Sequence, residues 1–323
     1  MSPFTPDPSR TLWQKASRLS WLGALVAVAA LWLLAGAVTG TLSFSFILAN
    51  ATIAAFLALA GAAQMTVIAS GPGNFDLSLH YVVTFSAYVV SGGVLGQGHL
   101  AASLALALVT GAVVGVVNAF LIVRLRIPAI VATLASGYIL YSFIVTIQSR
   151  GFGRVGGIFE DLLRARVAEI SGALIAAALT LAVLAVLLKR TMFGLHLHAM
   201  GQNGEAARLA GVRRGRLLTG TFALSGVLSA WLGVLLATYQ GGVSADLGRT
   251  YLLGSVAAVV VGGTRISGGV TSVIGTALGA LVLVLTQSDL VLMKFSIGAQ
   301  YVIQGLIVLV TVCLVAIRPK TGR

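Results

Sequence analysis

The sequence is poor in charge: only 9% of its 323 residues are Asp, Glu, Lys or Arg, whereas 58% are hydrophobic. A water-soluble domain carries about 25% charged residues. The chain therefore lacks the polar residues needed to cover a soluble surface of its size, which excludes an ordinary soluble enzyme, a nucleic-acid-binding domain and a disordered protein. Its long apolar runs predict instead an all-α fold, a polytopic bundle of transmembrane helices.

Cysteine is also nearly absent. The single one, Cys313, has no partner in the chain, which excludes a disulfide framework and a Cys-based zinc site. His196 and His198 are two residues apart and would point in different directions on a helix, so we expect no metal site there. The chain lacks a GxxxxGK[ST] phosphate loop, and none of its four lysines follows a glycine. Any nucleotide chemistry must therefore belong to another polypeptide.

Ten apolar segments are candidate membrane spans, since an α-helix needs about 20 residues to cross the hydrocarbon core. They are residues 21–38, 46–69, 79–96, 100–123, 129–147, 171–188, 219–238, 252–262, 270–286 and 301–317. The third is rich in glycine and the eighth is short, so both are expected to be broken or re-entrant helices. This count, about ten, gives a transmembrane domain at 21–317 between tails at 1–20 and 318–323.

The charges between the spans predict the orientation. With the N-terminus inside, 15 of the 21 lysines and arginines fall on the cytoplasmic side, and the other 6 share external loops with 5 acidic residues, Asp289 among them. Because cytoplasmic loops carry the excess of basic residues, we expect both termini in the cytoplasm. The external segment 148–170 is the weak point of this prediction, because it carries four arginines.

Two pairs of glycines have the spacing of close helix packing. Gly111 and Gly115 lie in the fourth span, and Gly275 and Gly279 lie in the ninth. Small residues four apart let two helix backbones approach closely in lipid. A glycine-rich turn precedes each of these two helices, which hints at an internal duplication of the kind found in transporters.

The predicted cytoplasmic loop 189–218 contains a short helix with a signal at each end. Asn203 can cap its first free N–H groups, and Glu205 suits the positive end of the helix dipole. Gly211 can adopt the left-handed conformation that ends a helix. Because two turns of helix are not stable alone in water, this segment is expected to dock on its own bundle or on a cytoplasmic partner.

Four strings occur in a recognisable order. They are DLS at 76–78, IPAIVATL at 127–134, TMFGLHLHAMGQNGEAARLAG at 191–211 and GGTRISGG at 262–269, with a Gln-Gly pair at 304–305. In this order they resemble the sugar-type (ribose-permease-like) ABC transporter permeases of the branched-chain amino acid and sugar permease family. Four ordered motifs are far more specific than any one alone.

The resemblance implies the permease subunit of a bacterial ATP-driven importer in the inner membrane, carrying a monosaccharide or similar polyhydroxylated solute. The implied partners are an ATP-binding subunit with two nucleotide-binding domains, a second permease subunit (identical or not), an extracytoplasmic solute-binding protein and the lipid bilayer, but no nucleic acid. This chain would be no enzyme and hold no cofactor, because ATP and Mg bind the ATPase. The residues that the resemblance assigns to coupling with the ATPase are Asn203, Glu205, Ala206, Ala207, Arg208 and Gly211.

The translocation pathway is predicted around Asp76, the only acidic residue at apparent membrane depth. A carboxylate there is costly and usually faces a cavity or a partner. It either borders the solute path or caps the third helix by accepting N–H bonds, and one position can do both. The candidate pathway residues are Asn74, Phe75, Asp76, Ser78, Asn118, Thr133 and Gln304. The family pattern is broken at residues 72–75, His80 and Gln304, which leaves the solute open.

Three alternatives remain at this point. The amino-acid branch of the same broad family would carry a different solute. An ion-driven secondary transporter or channel would need several carboxylates or a charged relay at membrane depth. An intramembrane enzyme would need a Ser/His or metal-ligand pair on facing helices, and none is convincingly placed.

Overall fold

The structure is a computed structural model, and it describes residues 21–96, 98–148, 154–167 and 169–317. The predicted tails at 1–20 and 318–323 lie outside these residues. Within the described part almost everything is helical. The sheet in it is a two-stranded antiparallel hairpin, β1 (Arg166–Val167) and β2 (Ile170–Ser171).

The described helices follow the predicted spans closely. They are α1 (Leu22–Thr39), α2 (Phe44–Ala69), α3 (Leu79–Tyr88), α4 (Leu100–Arg124), α5 (Ala129–Ile147), α6 (Ile158–Arg164), α7 (Gly172–Arg190), α8 (Met192–Gln202), α9 (Gly204–Leu209), α10 (Arg214–Gln240), α11 (Arg249–Val261), α12 (Val273–Leu292) and α13 (Ile297–Ile317). Seven of the helices in the described ranges are long and apolar enough to cross a membrane. The polytopic helical bundle is confirmed, and the count of ten spans stays a prediction.

The third predicted span is interrupted, as its glycines indicated. Helix α3 ends at Tyr88 and passes into a wide π-helical turn, Val89–Gly93, where Gly92 has a φ of +86°. That backbone conformation is one that glycine adopts without steric cost. The eighth predicted span, α11, has only 13 residues and is too short for a full crossing.

Helices α2 and α10 form the centre of the bundle. Helix α2 packs against α7, α10, α11 and α12, whereas α10 packs against α2, α3 and α4. Both therefore bury most of their surface inside the protein, unlike α1, α4 and α7, which expose long apolar faces. A helix that is apolar on all sides and sits at the centre of a bundle holds its neighbours at fixed positions.

Both glycine pairs lie at backbone-to-backbone contacts. A Cβ atom at Gly111 would collide with the carbonyl oxygen of Gly226 on α10, and one at Gly115 with that of Phe222. On α12, Gly275 is pressed in the same way against Gly262. The predicted packing role of these glycines is confirmed, because any side chain there would push two helices apart.

The segment 148–170 contains structure that the sequence analysis did not predict, namely α6 and the hairpin. Glu160 on α6 is buried, and its carboxylate lies 2.6 Å from an Arg154 nitrogen and 3.1 Å from one of Arg164. Two of the four arginines that weakened the orientation argument thus share one carboxylate, which offsets one of their two positive charges. A buried carboxylate with two such partners holds this segment against the bundle.

Candidate functional site

The candidate site begins at the turn formed by residues 70–78, which joins α2 to α3. Gly71 and Gly73 have φ values of +144° and +79°, so the chain reverses here in conformations that favour glycine. The amide of Asn74 donates to the Ser70 hydroxyl at 2.9 Å. These contacts place Asp76 at the start of α3, in the interior of the bundle.

The carboxylate of Asp76 is 3% exposed and accepts three hydrogen bonds. Its Oδ1 accepts from the backbone N–H of Ser78 at 3.0 Å and from the Ser78 hydroxyl at 2.5 Å. Its Oδ2 accepts from the hydroxyl of Ser225 on α10 at 2.8 Å. Asp76 thus accepts the N–H of Ser78, the residue immediately before α3 begins at Leu79, which is the kind of bond the predicted cap requires.

Two further helices complete this arrangement. On α4, Asn118 donates to the Ser78 hydroxyl at 2.9 Å and accepts from Ser136 of α5 at 2.5 Å. The hydroxyl of Thr133, also on α5, accepts from the N–H of Leu77 at 3.0 Å. Behind them, the amide of Gln64 on α2, oriented to suit its partners, pairs with the backbone N–H and C=O of Asp76. The polar cluster consists of Gln64, Asp76, Ser78, Asn118, Thr133, Ser136 and Ser225.

Four predicted pathway residues therefore meet in one cluster: Asp76, Ser78, Asn118 and Thr133, each at most 3% exposed. Asn74 and Phe75 lie on the adjoining turn and are half-buried. Gln304 lies on α13, whose main contacts are with α11 and α12, so no hydrogen bond among the described residues joins it to the cluster. The cluster joins α2, α3, α4, α5 and α10 through satisfied hydrogen bonds, which specify one arrangement of these helices.

Gln64, Ser136 and Ser225 are members that the sequence analysis missed. A signal for Ser225 exists in the sequence, since Thr221, Ser225 and Ser229 recur every four residues on α10 and all are fully buried. A polar stripe at this spacing on an otherwise apolar helix marks a face turned toward other polar groups.

Asp289 requires a correction. The sequence predicted an external loop for Asp289 and left Asp76 as the only acidic residue at apparent membrane depth. Helix α12 instead continues to Leu292, so Asp289 lies in its last turn and is only 3% exposed. Neither of its carboxylate oxygens has a hydrogen-bond partner among the described residues. The helix runs through the polar residues 286–289 and ends in the apolar residues 290–292, beyond the predicted end at 286.

The predicted short helix at the cytoplasmic loop is α9, and both of its ends are built as the sequence indicated. The side chain of Asn203 accepts from the N–H groups of Glu205 and Ala206 at 3.1 and 3.0 Å. At the other end Gly211 has a φ of +86°, and the N–H of Val212 reaches back to the carbonyl of Ala207 at 3.0 Å. This is a Schellman ending, which satisfies carbonyls that the helix leaves free. We call residues 203–211 the capped stub.

The capped stub is anchored on one side and open on the others. Ala207 is 3% exposed, whereas Leu209 is 75% exposed. Glu205 and Arg208 form an exposed ion pair at 2.6 Å, and the guanidinium of Arg208 lowers the pKa of the Glu205 carboxyl below its usual value. The stub therefore presents a charged pair and a large apolar side chain that the rest of the described chain does not cover.

Helix α8 connects the capped stub to the interior. Gly201 near its end touches the carbonyl of Ala69, the last residue of α2, and the backbone of Gly269, so closely that a Cβ atom would overlap both. The N–H of Gly269 donates to that same Ala69 carbonyl at 3.0 Å. The amide of Gln202 also donates to the carbonyl of Gly269 at 3.1 Å. Three parts of the chain thus meet at backbone distance: α8, the end of α2 and residues 262–272, which we call the glycine turn.

A pH effect is expected at this junction. The ring of His198 shares a hydrogen bond of 2.8 Å with Thr271, and burial lowers the pKa of His198 below its ordinary 6.5. In the folded protein His198 therefore stays neutral at pH values where a free histidine takes a proton. The contribution of the neutral His198 to stability is fully present above pH 6.5 and decreases as the pH falls below it.

We expect the melting temperature to drop between pH 7.5 and 5.5, and to drop less in His198→Gln. His196→Gln, on the same helix, is the control, and an equal drop in all three proteins would contradict this assignment.

Comparison with known proteins identifies the chain. A family model described as the permease component of the branched-chain amino acid transport system matches residues 43–312. The chain belongs to this family. It is 31% identical over 251 residues to the L-arabinose ABC transporter permease protein AraH of Azospirillum brasilense, covering 74% of this chain and 71% of that protein.

Two further relatives are similar at the same level. The fructose import permease protein FrcC of Rhizobium meliloti is 30% identical over 80% of this chain and 74% of its own length. The autoinducer 2 import system permease protein LsrC of Yersinia pestis (strain Pestoides F) is 31% identical over 83% of this chain and 75% of its own length. The resemblance carried by the four strings is thereby confirmed.

Family membership and the fold together define the molecule. It is an integral, multi-pass permease subunit of an ABC importer. It is not an enzyme, because ATP hydrolysis belongs to a separate ATPase subunit, and it associates with an ATP-binding subunit and a solute-binding protein. Membership also removes the ion-driven transporter and the intramembrane enzyme as readings of this chain.

Proposed function

We propose that this permease carries a monosaccharide or a similar polyhydroxylated solute into a bacterial cell across the inner membrane. The observation that supports the solute class is the similarity to permeases named for L-arabinose, fructose and autoinducer 2 over about three quarters of the chain. A second permease subunit, identical or not, completes the pathway. No cofactor binds this chain, since ATP and Mg belong to the ATPase.

The capped stub is the element that we propose couples the permease to the ATPase. A helix of six residues is stable only when its ends are satisfied and one side is anchored. Asn203 and Gly211 satisfy the ends, and Ala207 anchors the buried side. The exposed Glu205, Arg208 and Leu209 would contact the partner, with Ala206 beside them. The coupling assignment puts residues 189–218 in the cytoplasm, and together with the ten predicted spans it puts both chain termini there as well.

The coupling motion would then pass inward through α8. Because Gly201 touches Ala69 and Gly269 directly, a displacement of α8 moves the end of α2 and the glycine turn. Ala69 immediately precedes the turn at 70–78, which leads to Asp76. Asn74 and Phe75 are the predicted pathway residues there that keep partial exposure, so they would border the solute, whereas the buried cluster holds their turn in place from behind. Gln304 is proposed to border the pathway from α13.

A reconstituted complex tests the proposal. The permease, its ATPase and its solute-binding protein would be assembled in proteoliposomes, and accumulation of labelled pentoses and hexoses would be compared with that of leucine, isoleucine and valine. We expect ATP-dependent accumulation of a sugar. Accumulation of only the amino acids would favour the other branch of the family, and sugar uptake without the ATPase would contradict the coupling mechanism.

Gly211 provides a local test of the capped stub. A Cβ atom at Gly211 would meet open space, so Gly211→Val strains only the left-handed backbone, by about 1–2 kcal/mol. We expect sugar uptake to fall several-fold while the amount of folded permease is unchanged. Gly211→Asn should restore most of the uptake, because asparagine tolerates this conformation.

The matched control for that variant is Gly204→Ala. Gly204 lies in the first turn of α9, and an added Cβ there would only make ordinary contact with Met200. Uptake at the parental level is expected. Equal losses in Gly204→Ala and Gly211→Val would mean that the left-handed ending is irrelevant to coupling.

A further inference from the structure

The exposed faces of the helices differ in chemistry, and that of α5 carries a stripe of hydroxyl-bearing side chains. On α7, apart from the basic pair Lys189 and Arg190 at its end, the exposed side chains are aliphatic, and the largest are Ile175, Leu179, Val183 and Val186, each between 49% and 65% exposed. The exposed face of α4 is likewise built of valines and Phe120. Such faces suit contact with lipid tails. We compare the exposed face of α5 with these two faces.

Helix α5 exposes apolar side chains such as Ile139 and Phe143, and it exposes hydroxyl groups beside them. Tyr138, Ser142 and Thr146 recur every four residues and are all exposed, so they form one stripe along the helix. Tyr141 lies beside the stripe and is 38% exposed, whereas Tyr138 is 55% exposed. Ser142 and Thr146 donate to carbonyls of their own helix, at 3.1 and 2.9 Å.

Helix α3 adds a third tyrosine to this surface. The ring centroid of Tyr81 lies 5.8 Å from that of Tyr138 and 5.6 Å from that of Tyr141. Gly137 makes this approach feasible, because the Tyr81 ring occupies the space that a side chain at 137 would need. We call the surface formed by Tyr81, Tyr138, Tyr141, Ser142 and Thr146 the tyrosine face. The tyrosine face adjoins the polar cluster. Gly137 follows Ser136 in the chain, and a Cβ atom at Gly137 would lie 3.3 Å from the Cα atom of Ser78.

The depth of the tyrosine face excludes the usual explanation for membrane tyrosines. Tyr138 is nine residues from either end of α5, about 13 Å at 1.5 Å per residue. In a hydrocarbon core about 30 Å thick this is near the midplane, whereas interfacial tyrosines lie at the two membrane surfaces. The hydroxyl of Tyr138 shares one hydrogen bond with that of Tyr81. Facing lipid tails at that depth, the pair would still lose the water that satisfies the rest of its hydrogen-bonding capacity.

We infer that the tyrosine face is a wall of the solute pathway and that its rings stack against the sugar. The apolar C–H side of a sugar ring matches an aromatic ring, and the phenol and serine hydroxyls can exchange hydrogen bonds with sugar hydroxyls. Solute sites of transporters also lie near the midplane. The stacking part of this inference rests on the proposed sugar transport, whereas contact with water does not.

Cysteine accessibility tests the wall independently of the solute. Cys313 is the sole cysteine, so Cys313→Ser gives a cysteine-free parent, into which Tyr138→Cys or Val183→Cys is introduced. Val183 is 63% exposed and lies near the middle of α7, which makes it the depth-matched control. In the assembled complex, with and without ATP, we expect a membrane-impermeant methanethiosulfonate reagent to modify Tyr138→Cys at least tenfold faster than Val183→Cys. Equally slow modification of both would overturn the inference and place this face against lipid or the second subunit.

Transport kinetics test the stacking. In the complete importer we expect Tyr138→Ala to raise the KM for the transported sugar about tenfold and Tyr138→Phe to stay within about twofold, because phenylalanine keeps the ring. Saturating sugar delivered by the binding protein should slow modification of Tyr138→Cys. Fast modification without protection, in a complex that transports the sugar, would overturn stacking. Fast modification in a complex that transports only amino acids would instead overturn the proposed solute while upholding the wall.

Discussion

Replacement of Gly115 by leucine is expected to remove folded permease from the membrane. At this position α4 and α10 touch through their backbones, because a Cβ atom would overlap the carbonyl of Phe222 and approach Ala223. Leucine adds four carbon atoms where none fits, and the helices cannot separate without breaking the hydrogen bonds of Asn118 and Ser225 nearby. Overpacking by single methylenes costs about 1–3 kcal/mol, so we expect a destabilisation above about 3 kcal/mol.

The measurement is the yield and melting temperature of detergent-solubilised protein. Val116→Leu is the matched control, because Val116 is the next residue and its side chain is 43% exposed. It should express and melt like the parent. A normally folded Gly115→Leu protein would contradict the close contact between α4 and α10.

The second large effect is expected at Asp76. Its removal in Asp76→Ala leaves the hydroxyls of Ser78 and Ser225 and one backbone N–H without their acceptor inside the bundle. Each buried polar group without a partner costs about 1–3 kcal/mol, so the variant should lose more than about 3 kcal/mol and all measurable uptake. Melting temperature and sugar uptake in proteoliposomes are the measurements.

Asp76→Asn separates hydrogen bonding from charge. The asparagine carbonyl can still accept from Ser78, and its amide can donate to the Ser225 hydroxyl. If Asp76 serves to cap α3 and join it to α10, Asp76→Asn should keep most of the stability and uptake. A loss as severe as in Asp76→Ala would show that the negative charge itself is required.

Local signals in the sequence were sufficient for the capped stub. Asn203 and Gly211 act within a few residues of their own positions, so their side-chain and backbone preferences alone determine where α9 begins and ends. The apolar spans could also be predicted from the sequence, because their length follows from the thickness of the bilayer. The stretch 129–147 was predicted with the bounds that α5 has.

Contacts between segments far apart in the chain could not be predicted from the sequence. Ser225 is 149 residues from Asp76, and nothing in either neighbourhood indicates that the two side chains meet. The close approach of Gly201 to Ala69 likewise depends on how whole helices pack. The end of α12 differs from the prediction for a related reason. The polar residues 286–289 predict a loop, whereas packing against the rest of the bundle buries Asp289 and the helix continues to Leu292.

The meeting of α8 with Ala69 and Gly269 has a consequence for the order of events during transport. Ala69 belongs to the first half of the chain and Gly269 to the second, and both touch the same glycine of α8 with no flexible side chain between them. A shift of α8 therefore reaches both halves in a single step. Under the proposed coupling through the capped stub, this geometry disfavours states in which only one half of the subunit has responded to the ATPase.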